Sequence, residues 1–236
     1  MDSSSFSGFP AEGIQFLSDL AANNNREWFQ ANKKIYQNQL LKPAQLFVLA
    51  LGERLREISS TIRYDTATNG TGSLMRIYRD VRFSKDKTPY KTNISMSFWQ
   101  GPGKKTAHPG YFIRFEVSGG GIFVGQHGFD RPVLAAYRDA VDDEKMGKEL
   151  EDALELVKSR GNFEIGGEHY KRVPRGYDAD HPRSDLLKYN GLWALAPNAI
   201  EPSDLYHAEL VGICFENCQK MAPVQEWLVK LQERFL

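Results

Sequence analysis

The feature that most constrains the fold is a change in the spacing of apolar residues along the chain. Through about the first sixty residues, apolar side chains recur every three or four positions, as in amphipathic helices. A loop rich in Gly, Asn and Thr at residues 66–73 precedes segments in which apolar and polar residues alternate, as in strands. Helical spacing returns after Pro132. The sequence therefore predicts an α+β fold, with N-terminal helices packed on an antiparallel sheet and further helices at the C-terminal end.

The same patterns predict individual elements. Pro10 precedes the first helix, Asn25 is expected to cap the second, and Pro43 lies in the first turn of the third. Four strands of a meander are expected at residues 74–79, 93–99, 111–117 and 122–126, with a hairpin turn at residues 118–121. Residues 161–197 are expected to be rich in loops. Two helices, at residues 203–221 and 223–235, are expected to close the chain.

Length, composition and charge set broad limits on the function. The chain has 236 residues, 41% of them hydrophobic and 25% charged, so we expect one globular domain over residues 1–236. Because 30 Lys and Arg residues balance 30 Asp and Glu residues, nucleic acid or an acidic membrane could be attracted only by a local basic patch. The sequence shows neither a signal peptide nor an apolar run that spans a membrane. We therefore expect a cytoplasmic protein without a membrane partner; its oligomeric state is not indicated.

Sequence motifs of common nucleotide-binding sites, metal sites and hydrolases are absent. The chain has no phosphate-binding P-loop, no zinc-protease motif and no serine-hydrolase motif, and the glycines after Ser118 lack the spacing of a dinucleotide site. Cys214 and Cys218 have no further ligands near them in sequence, and the five histidines lack the four-residue spacing of helical metal ligands. The sequence predicts no metal site and names no cofactor, and whether the protein is an enzyme stays open.

Residues 76–91, RIYRDVRFSKDKTPYK, form the one strongly basic segment. The segment contains six Lys and Arg residues but only two acidic residues, Asp80 and Asp86. Arginine forks, lysine ammonium groups and hydroxyl groups suit phosphate or carboxylate ligands. The candidate ligand-binding residues here are Arg76, Arg79, Arg82, Ser84, Lys85, Lys87, Tyr90 and Lys91. Three interpretations remain: structural ion pairs with the two aspartates, a small anionic ligand, or nucleic acid.

A second polar segment, residues 171–182, reads KRVPRGYDADHP. Arg172 and Arg175 are candidate ligand-binding residues. His181 could act as a general acid or base near neutral pH, oriented by Asp178 or Asp180, and these three are the candidate catalytic residues. The alternative is a turn in which aspartates cap a short helix at residues 185–189 and the histidine packs beside Pro182.

Three blocks together resemble a known family. RDVRFSKDKTPYKTN, NNNREWFQANKKIY and KRVPRGYDADHPRSDLLKY, in their positions along the chain, are similar to the family labelled domain of unknown function 2461 over nearly the whole sequence. The resemblance implies no agreed activity, but it implicates the polar residues above together with Asn25, Arg26, Trp28 and Phe29. One departure is Asn190, where the family pattern has a basic residue; if that residue binds an anion, this chain should bind it less well.

The combined hypothesis is that the two polar segments meet in one cleft. This cleft would bind a small anionic ligand, phosphorylated or carboxylated, with hydrolytic or transfer chemistry at His181 and an aspartate. The first alternative is a non-catalytic nucleic-acid-binding module, whose affinity would fall steeply with salt. The second alternative is a buried ion-pair network without a ligand, from which removal of Arg82 would strongly lower the stability.

Overall fold

The computed structural model describes residues 5–235. Its α-helices are α1 (Ala11–Ala22), α2 (Arg26–Ile35), α3 (Lys42–Leu55), α4 (Arg131–Asp142), α5 (Glu144–Arg160) and α6 (Leu210–Phe235). Its strands are β1 (Ile62–Arg63), β2 (Ile94–Gln100), β3 (Gly110–Glu116), β4 (Gly119–Gln126), β5 (Glu164–Glu168) and β6 (Tyr189–Ile200). The six strands form one antiparallel sheet in the order β1-β2-β3-β4-β6-β5. The predicted α+β fold is confirmed.

The N-terminal helices begin where the sequence predicts. The Asn25 side chain accepts a hydrogen bond of 2.9 Å from the backbone N–H of Trp28, which caps α2, and α3 begins one residue before Pro43. Between α2 and α3 the chain forms an unpredicted π-helix, Tyr36–Leu41. A Cβ atom at Gly13 of α1 would lie 1.9 Å from the carbonyl oxygen of Gln39 in this π-helix. Glycine is therefore required for the close approach of the two segments.

The predicted strands at residues 93–99, 111–117 and 122–126 are confirmed as β2, β3 and β4. The prediction of a strand at residues 74–79 is wrong, because this segment forms only two isolated bridges, Leu74 with Met96 and Tyr78 with Tyr90. The hairpin turn lies at residues 117–118 instead of 118–121. The glycines belong to β4, where a Cβ atom at Gly119 would lie 2.2 Å from the carbonyl oxygen of Ile200.

One prediction for the C-terminal half is confirmed and one is wrong. Residues 161–197 are rich in loops, above all at residues 169–185, but they also contain β5 and most of β6, which the sequence does not predict. The closing helix α6 is continuous through Pro223, and the predicted start at residue 203 is a short 3₁₀ helix, Pro202–Tyr206. Proline lacks the N–H group that would bond to the carbonyl oxygen of Gln219; instead Nη1 of Arg160 donates to this oxygen at 3.5 Å.

The structure divides into two compact units. The first comprises the chain up to Phe98, Phe112–Ile122 and Pro197–Glu216; the second comprises Trp99–Tyr111, Phe123–Ala196 and the chain from Asn217. In the first core, Phe47 packs edge-to-face on Phe6 and Phe115, with ring centroids 5.2 and 5.1 Å apart. In the second, buried Trp227 donates to the carbonyl oxygen of Met146 at 3.0 Å. A single domain over residues 1–236 stays a prediction.

Candidate functional site

The basic segment forms a loop that is closed at its base by a short antiparallel pairing. The backbone N–H of Arg79 donates to the carbonyl oxygen of Pro89 at 2.9 Å, and that of Lys91 donates to Ile77 at 2.8 Å. The β-bridge between Tyr78 and Tyr90 lies between these two bonds. The two ends of the loop, residues 79 and 89, are therefore adjacent, which fixes the backbone positions of Arg79 and Lys91.

Asp86 binds Arg79 across the base of this loop. Its carboxylate accepts the backbone N–H of Thr88 at 2.9 Å and the Nη1 group of Arg79 at 2.5 Å. Nη1 of Arg79 also donates to the hydroxyl and carbonyl oxygens of Thr88. The bond from the Thr88 N–H group, and next the bond from Arg79, lower the pKa of Asp86 to about 2. The guanidinium group of Arg79 is thereby held in one orientation.

A second ion pair shapes the tip of the loop. Oδ1 and Oδ2 of Asp80 accept the Nε and Nη2 groups of Arg82 at 2.9 and 2.7 Å, and this fork lowers the pKa of Asp80 to about 2. The ammonium group of Lys87 donates to the carbonyl oxygen of Val81 at 2.9 Å. The side chains of Arg82 and Asp80 are 76% and 61% exposed, so the ion pairs of the sequence hypothesis form here on the surface and not in a buried network.

The loop is attached to the N-terminal helices through Tyr90. The side-chain amide of Asn24 donates to the carbonyl oxygen of Tyr90 at 2.9 Å, and its oxygen accepts the backbone N–H of the same residue at 3.0 Å. The rings of Phe29 and Tyr90 stack with centroids 4.1 Å apart. Two of the three sequence blocks that resemble the family thus form one packed structure in the first unit.

A cavity of about 450 Å³ opens beside the base of the loop. Its lining includes Asn93, just before β2, and Ser95 on β2, together with Phe112 and Arg114 on β3. Each pair lines the cavity together because residues two apart in an extended segment share a face. The hydroxyl of Ser95 donates to Oδ1 of Asn93 at 2.9 Å. The complete lining is Met75, Arg79, Asp80, Lys91, Asn93, Ser95, Phe112 and Arg114.

A second cavity of about 390 Å³ shares Arg79, Lys91 and Asn93 with the first. Its other lining residues come from the loop and from the N-terminal helices: Ala21, Asn24, Asp86, Thr88, Tyr90 and Thr92. All residues that line the two cavities belong to the first unit. We call the two cavities together the basic cavity.

Lys91 is the cation of the basic cavity that has no counter-ion. Its side chain is half-buried, and its ammonium group makes no hydrogen bond or ion pair with any part of the chain that the structure describes. Burial, and secondarily the positive charge of Arg76, lower the pKa of this ammonium group. Asp80 lines the cavity too, but its carboxylate is bound by Arg82. The positive charge of Lys91 is therefore left without a partner, and an anion is the ligand that would balance it.

The structure places only some of the predicted ligand residues at this cavity. Arg79, Tyr90 and Lys91 line it. Five others line neither cavity: Arg76, which precedes the loop, and Arg82, Ser84, Lys85 and Lys87 within it. The sequence analysis missed Asn93, Ser95 and Arg114. Their alternation on β2 and β3 was visible in the sequence, but the pairing that brings the two strands together is a long-range contact.

The second polar segment lies in the other unit. Nδ1 of His181 accepts the backbone N–H of Arg183 at 3.1 Å, and Nε2 lies 3.9 Å from Oδ1 of Asp142. Oδ1 of Asp178 accepts the backbone N–H of Asp180 at 2.9 Å, as in a tight turn. Arg172 and Arg175 are exposed. The catalytic roles of His181, Asp178 and Asp180, and a cleft shared by the two segments, stay predictions.

Arg183, just after this segment, has a clear structural role. Its Nε group donates to the carbonyl oxygen of Val141 at 2.7 Å and its Nη2 group donates to Asp143 at 3.3 Å, which satisfies carbonyl groups at the end of α4. A Cβ atom at Gly147 of α5 would lie only 2.3 Å from Nε of Arg183. Part of the third block therefore joins α4 and α5 within the second unit.

The described residues contain neither a metal-binding cluster nor a membrane-spanning helix. Within residues 5–235, no three His, Cys, Asp or Glu side chains lie together in a way that could hold a metal ion. No helix of these residues combines the length and the apolar character that a membrane span requires.

The chain matches the model of a known protein family. The model of a family described as a conserved hypothetical protein, domain of unknown function 2461, matches residues 12–227. No curated protein matches the chain. The matched range contains the whole basic cavity and the second polar segment.

Proposed function

The chain belongs to this family of conserved hypothetical proteins, and from the geometry of its basic cavity we propose that it binds a small anionic ligand, phosphorylated or carboxylated. The observation that carries the proposal is the half-buried side chain of Lys91, which lines the same cavity as Arg79 and Arg114 and has no counter-ion among the described residues. A cation removed from water without a partner destabilises the protein, and a bound anion offsets that loss. The volume of the larger cavity suits a small metabolite.

The other donors of the cavity complement this charge. Arg79 is held by Asp86 and Thr88 and need not be reordered when a ligand binds. Because Ser95 donates to Oδ1 of Asn93, the amide N–H groups of Asn93 remain available to a ligand oxygen. Among the described residues, Arg114 pairs only with Glu116 on the same strand, at 2.9 Å. Both side chains are exposed, so Arg114 can also turn towards an anion.

We extend the proposal to hydrolytic or transfer chemistry at His181. In the neutral tautomer that accepts the Arg183 N–H at Nδ1, the proton lies on Nε2, towards Asp142. The Asp142 carboxylate was not among the predicted partners of His181. His181→Asn should abolish turnover of phosphate or carboxylate esters and leave ligand binding intact; unchanged turnover would remove the histidine from the proposal.

A cytoplasmic location is proposed on the sequence alone.

The binding test is calorimetric titration of the purified protein with inorganic phosphate and citrate, followed by the same titrations of Lys91→Met. We expect Lys91→Met to weaken binding at least tenfold, about 1.4 kcal/mol. The matched control is Lys85→Met, since Lys85 is an exposed lysine of the same loop that lines neither cavity. Equal loss in both variants, or no loss in either, would contradict the proposal.

Nucleic acid is the alternative partner, and Phe83 is the observation that favours it. This side chain is 95% exposed in the loop, two residues before exposed Lys85 in the sequence, as expected of a surface on which a base stacks. Tyr90, Trp99 and Tyr111 are buried and offer no such surface. Binding of a labelled oligonucleotide should then fall by orders of magnitude between about 50 and 200 mM salt and be lost in Phe83→Ala. Oligonucleotide binding that Phe83→Ala does not weaken would argue against this alternative.

A further inference from the structure

We propose that Lys91 forms a Schiff base with an anionic carbonyl compound, an aldehyde or 2-oxo acid, held by Arg79 and Arg114 in the basic cavity. This inference rests on the proposed function and names the substrate class of the same site. It also assigns to Lys91 a chemical role that anion binding does not require. Three features of the site support it.

The first feature is the position of Lys91. Its backbone N–H bond to Ile77 fixes the base of the side chain, and the residue lines both parts of the basic cavity. A ligand bound in either part therefore shares a cavity with this side chain. Lys85 and Lys87 differ, since the first is exposed in the loop and the second donates to the carbonyl oxygen of Val81.

The second feature is the set of charges around the amine. The cations are Arg76, Arg79 and Arg114, and the two carboxylates, Asp80 and Asp86, are each bound by an arginine. No carboxylate is therefore committed to keeping the Lys91 ammonium protonated. Partial burial and a neighbouring cation both favour the neutral amine, and they are the means by which proteins activate nucleophilic lysines.

The third feature is that the same groups suit both ends of such a ligand. The arginine forks bind a phosphate or carboxylate group, and the amine is left to meet the carbonyl carbon. An anion without a carbonyl group would interact with the positive charges of the site but would not react with the amine. The larger cavity, about 450 Å³, has room for both functional groups of a small molecule.

The step itself needs no other reactant. The neutral amine nitrogen of Lys91 forms a bond to the carbonyl carbon while the C=O π pair moves to the oxygen. That oxygen takes up a proton, nitrogen loses one to water, and a carbinolamine results. The carbinolamine then loses its hydroxyl group with one further proton as water, while the nitrogen lone pair forms the C=N bond. One amine and one carbonyl compound thus give one imine and one water.

The test uses pyridoxal 5′-phosphate as the probe, because it carries both an aldehyde and a phosphate group. The full chain is mixed with low concentrations of the probe, reduced with sodium borohydride, and analysed by peptide mass spectrometry. We expect Lys91 to be modified at least tenfold faster than Lys85. Inorganic phosphate should suppress this modification, and pyridoxal without the phosphate group should modify Lys91 more slowly than pyridoxal 5′-phosphate does.

Each of the other outcomes contradicts the Schiff-base inference, the proposed anion binding, or both. If inorganic phosphate binds by calorimetry but Lys91 is modified no faster than Lys85, the Schiff-base role is wrong and the anion site stands. If Lys91 is modified quickly but phosphate does not suppress it, the anion is not held beside the amine and the inference is wrong. If neither phosphate binding nor preferential modification occurs, the inference and the proposed function fail together.

Discussion

The side-chain amide of Asn24 bonds to both backbone polar groups of Tyr90, at 2.9 and 3.0 Å, in the way that a neighbouring strand would. A single side chain thereby ties the connection between α1 and α2 to the end of the basic loop. Since Lys91 is the next residue along the chain, this pairing also helps to position the amine of the proposed site.

Asn24→Ala should destabilise the protein by about 2 kcal/mol, because the backbone N–H and carbonyl groups of a buried residue lose their partners. Urea denaturation measures this difference. Asn24→Asp retains the acceptor for the N–H group and should be less destabilising. Asn38→Ala, at an exposed position of the π-helix, is the control and should change stability by no more than about 0.5 kcal/mol. Equal effects at Asn24 and Asn38 would contradict the assigned pairing.

Arg82→Ala should leave the melting temperature unchanged. Both Arg82 and its partner Asp80 are exposed, so water replaces the lost hydrogen bonds. A buried ion-pair network, the alternative considered from the sequence, would require a marked decrease instead. Thermal unfolding followed by circular dichroism distinguishes the two, and a large drop in the melting temperature would show that the loop contributes to the core.

The stabilising effect of Asp86 should disappear in acid. Its pKa is lowered in the folded state to about 2, against about 3.9 in an unfolded chain. A lowered folded-state pKa means that the stabilisation is fully present above the unfolded value and is lost as the pH falls through the folded value. The melting temperatures of the wild type and Asp86→Asn should therefore differ above pH ~4 and converge towards pH ~2. A difference that is independent of pH would contradict this linkage.

Gly147→Ala should destabilise the second unit by about 1–3 kcal/mol, because the added methyl group would displace the Arg183 side chain from the end of α4. Gly212→Ala is the matched control, since it is also a helical glycine but has only the tip of Arg54 nearby, at 3.7 Å. Alanine favours the helix there, so this variant should be neutral or slightly stabilised. Urea denaturation of both variants measures the contrast, and a neutral Gly147→Ala would show that Arg183 can move at little cost.

Local patterns predicted the fold where each strand carries its own apolar alternation. β2, β3 and β4 were found in this way, whereas β5 and β6 were missed because glycines interrupt them. A Cβ atom at Gly166 of β5 would lie 2.1 Å from the ring of Trp193 on the paired strand β6. The glycine that suggests a loop in the sequence is thus required by packing within the sheet.

The candidate site was predictable to a similar degree. Charge density alone identifies the segment that contains Arg79 and Lys91, and ion pairs of Asp80 and Asp86, one of the three interpretations that the sequence leaves open, form with arginines in the structure. The contribution of Arg114 depends on the pairing of β2 with β3, and that of Asn24 on the docking of helices on the loop. Neither depends on the residues near it in sequence, so composition could not reveal them.

Titration of the ¹⁵N-labelled protein with inorganic phosphate, followed by heteronuclear NMR of the backbone amides, tests anion binding at the basic cavity most directly. We expect saturable shifts that are largest at Lys91, Asn93, Ser95 and Arg114, and that are absent at Lys85 and at the exposed Arg172 and Arg175. Shifts that do not saturate, or that are spread over exposed lysines and arginines alike, would contradict a specific anion site.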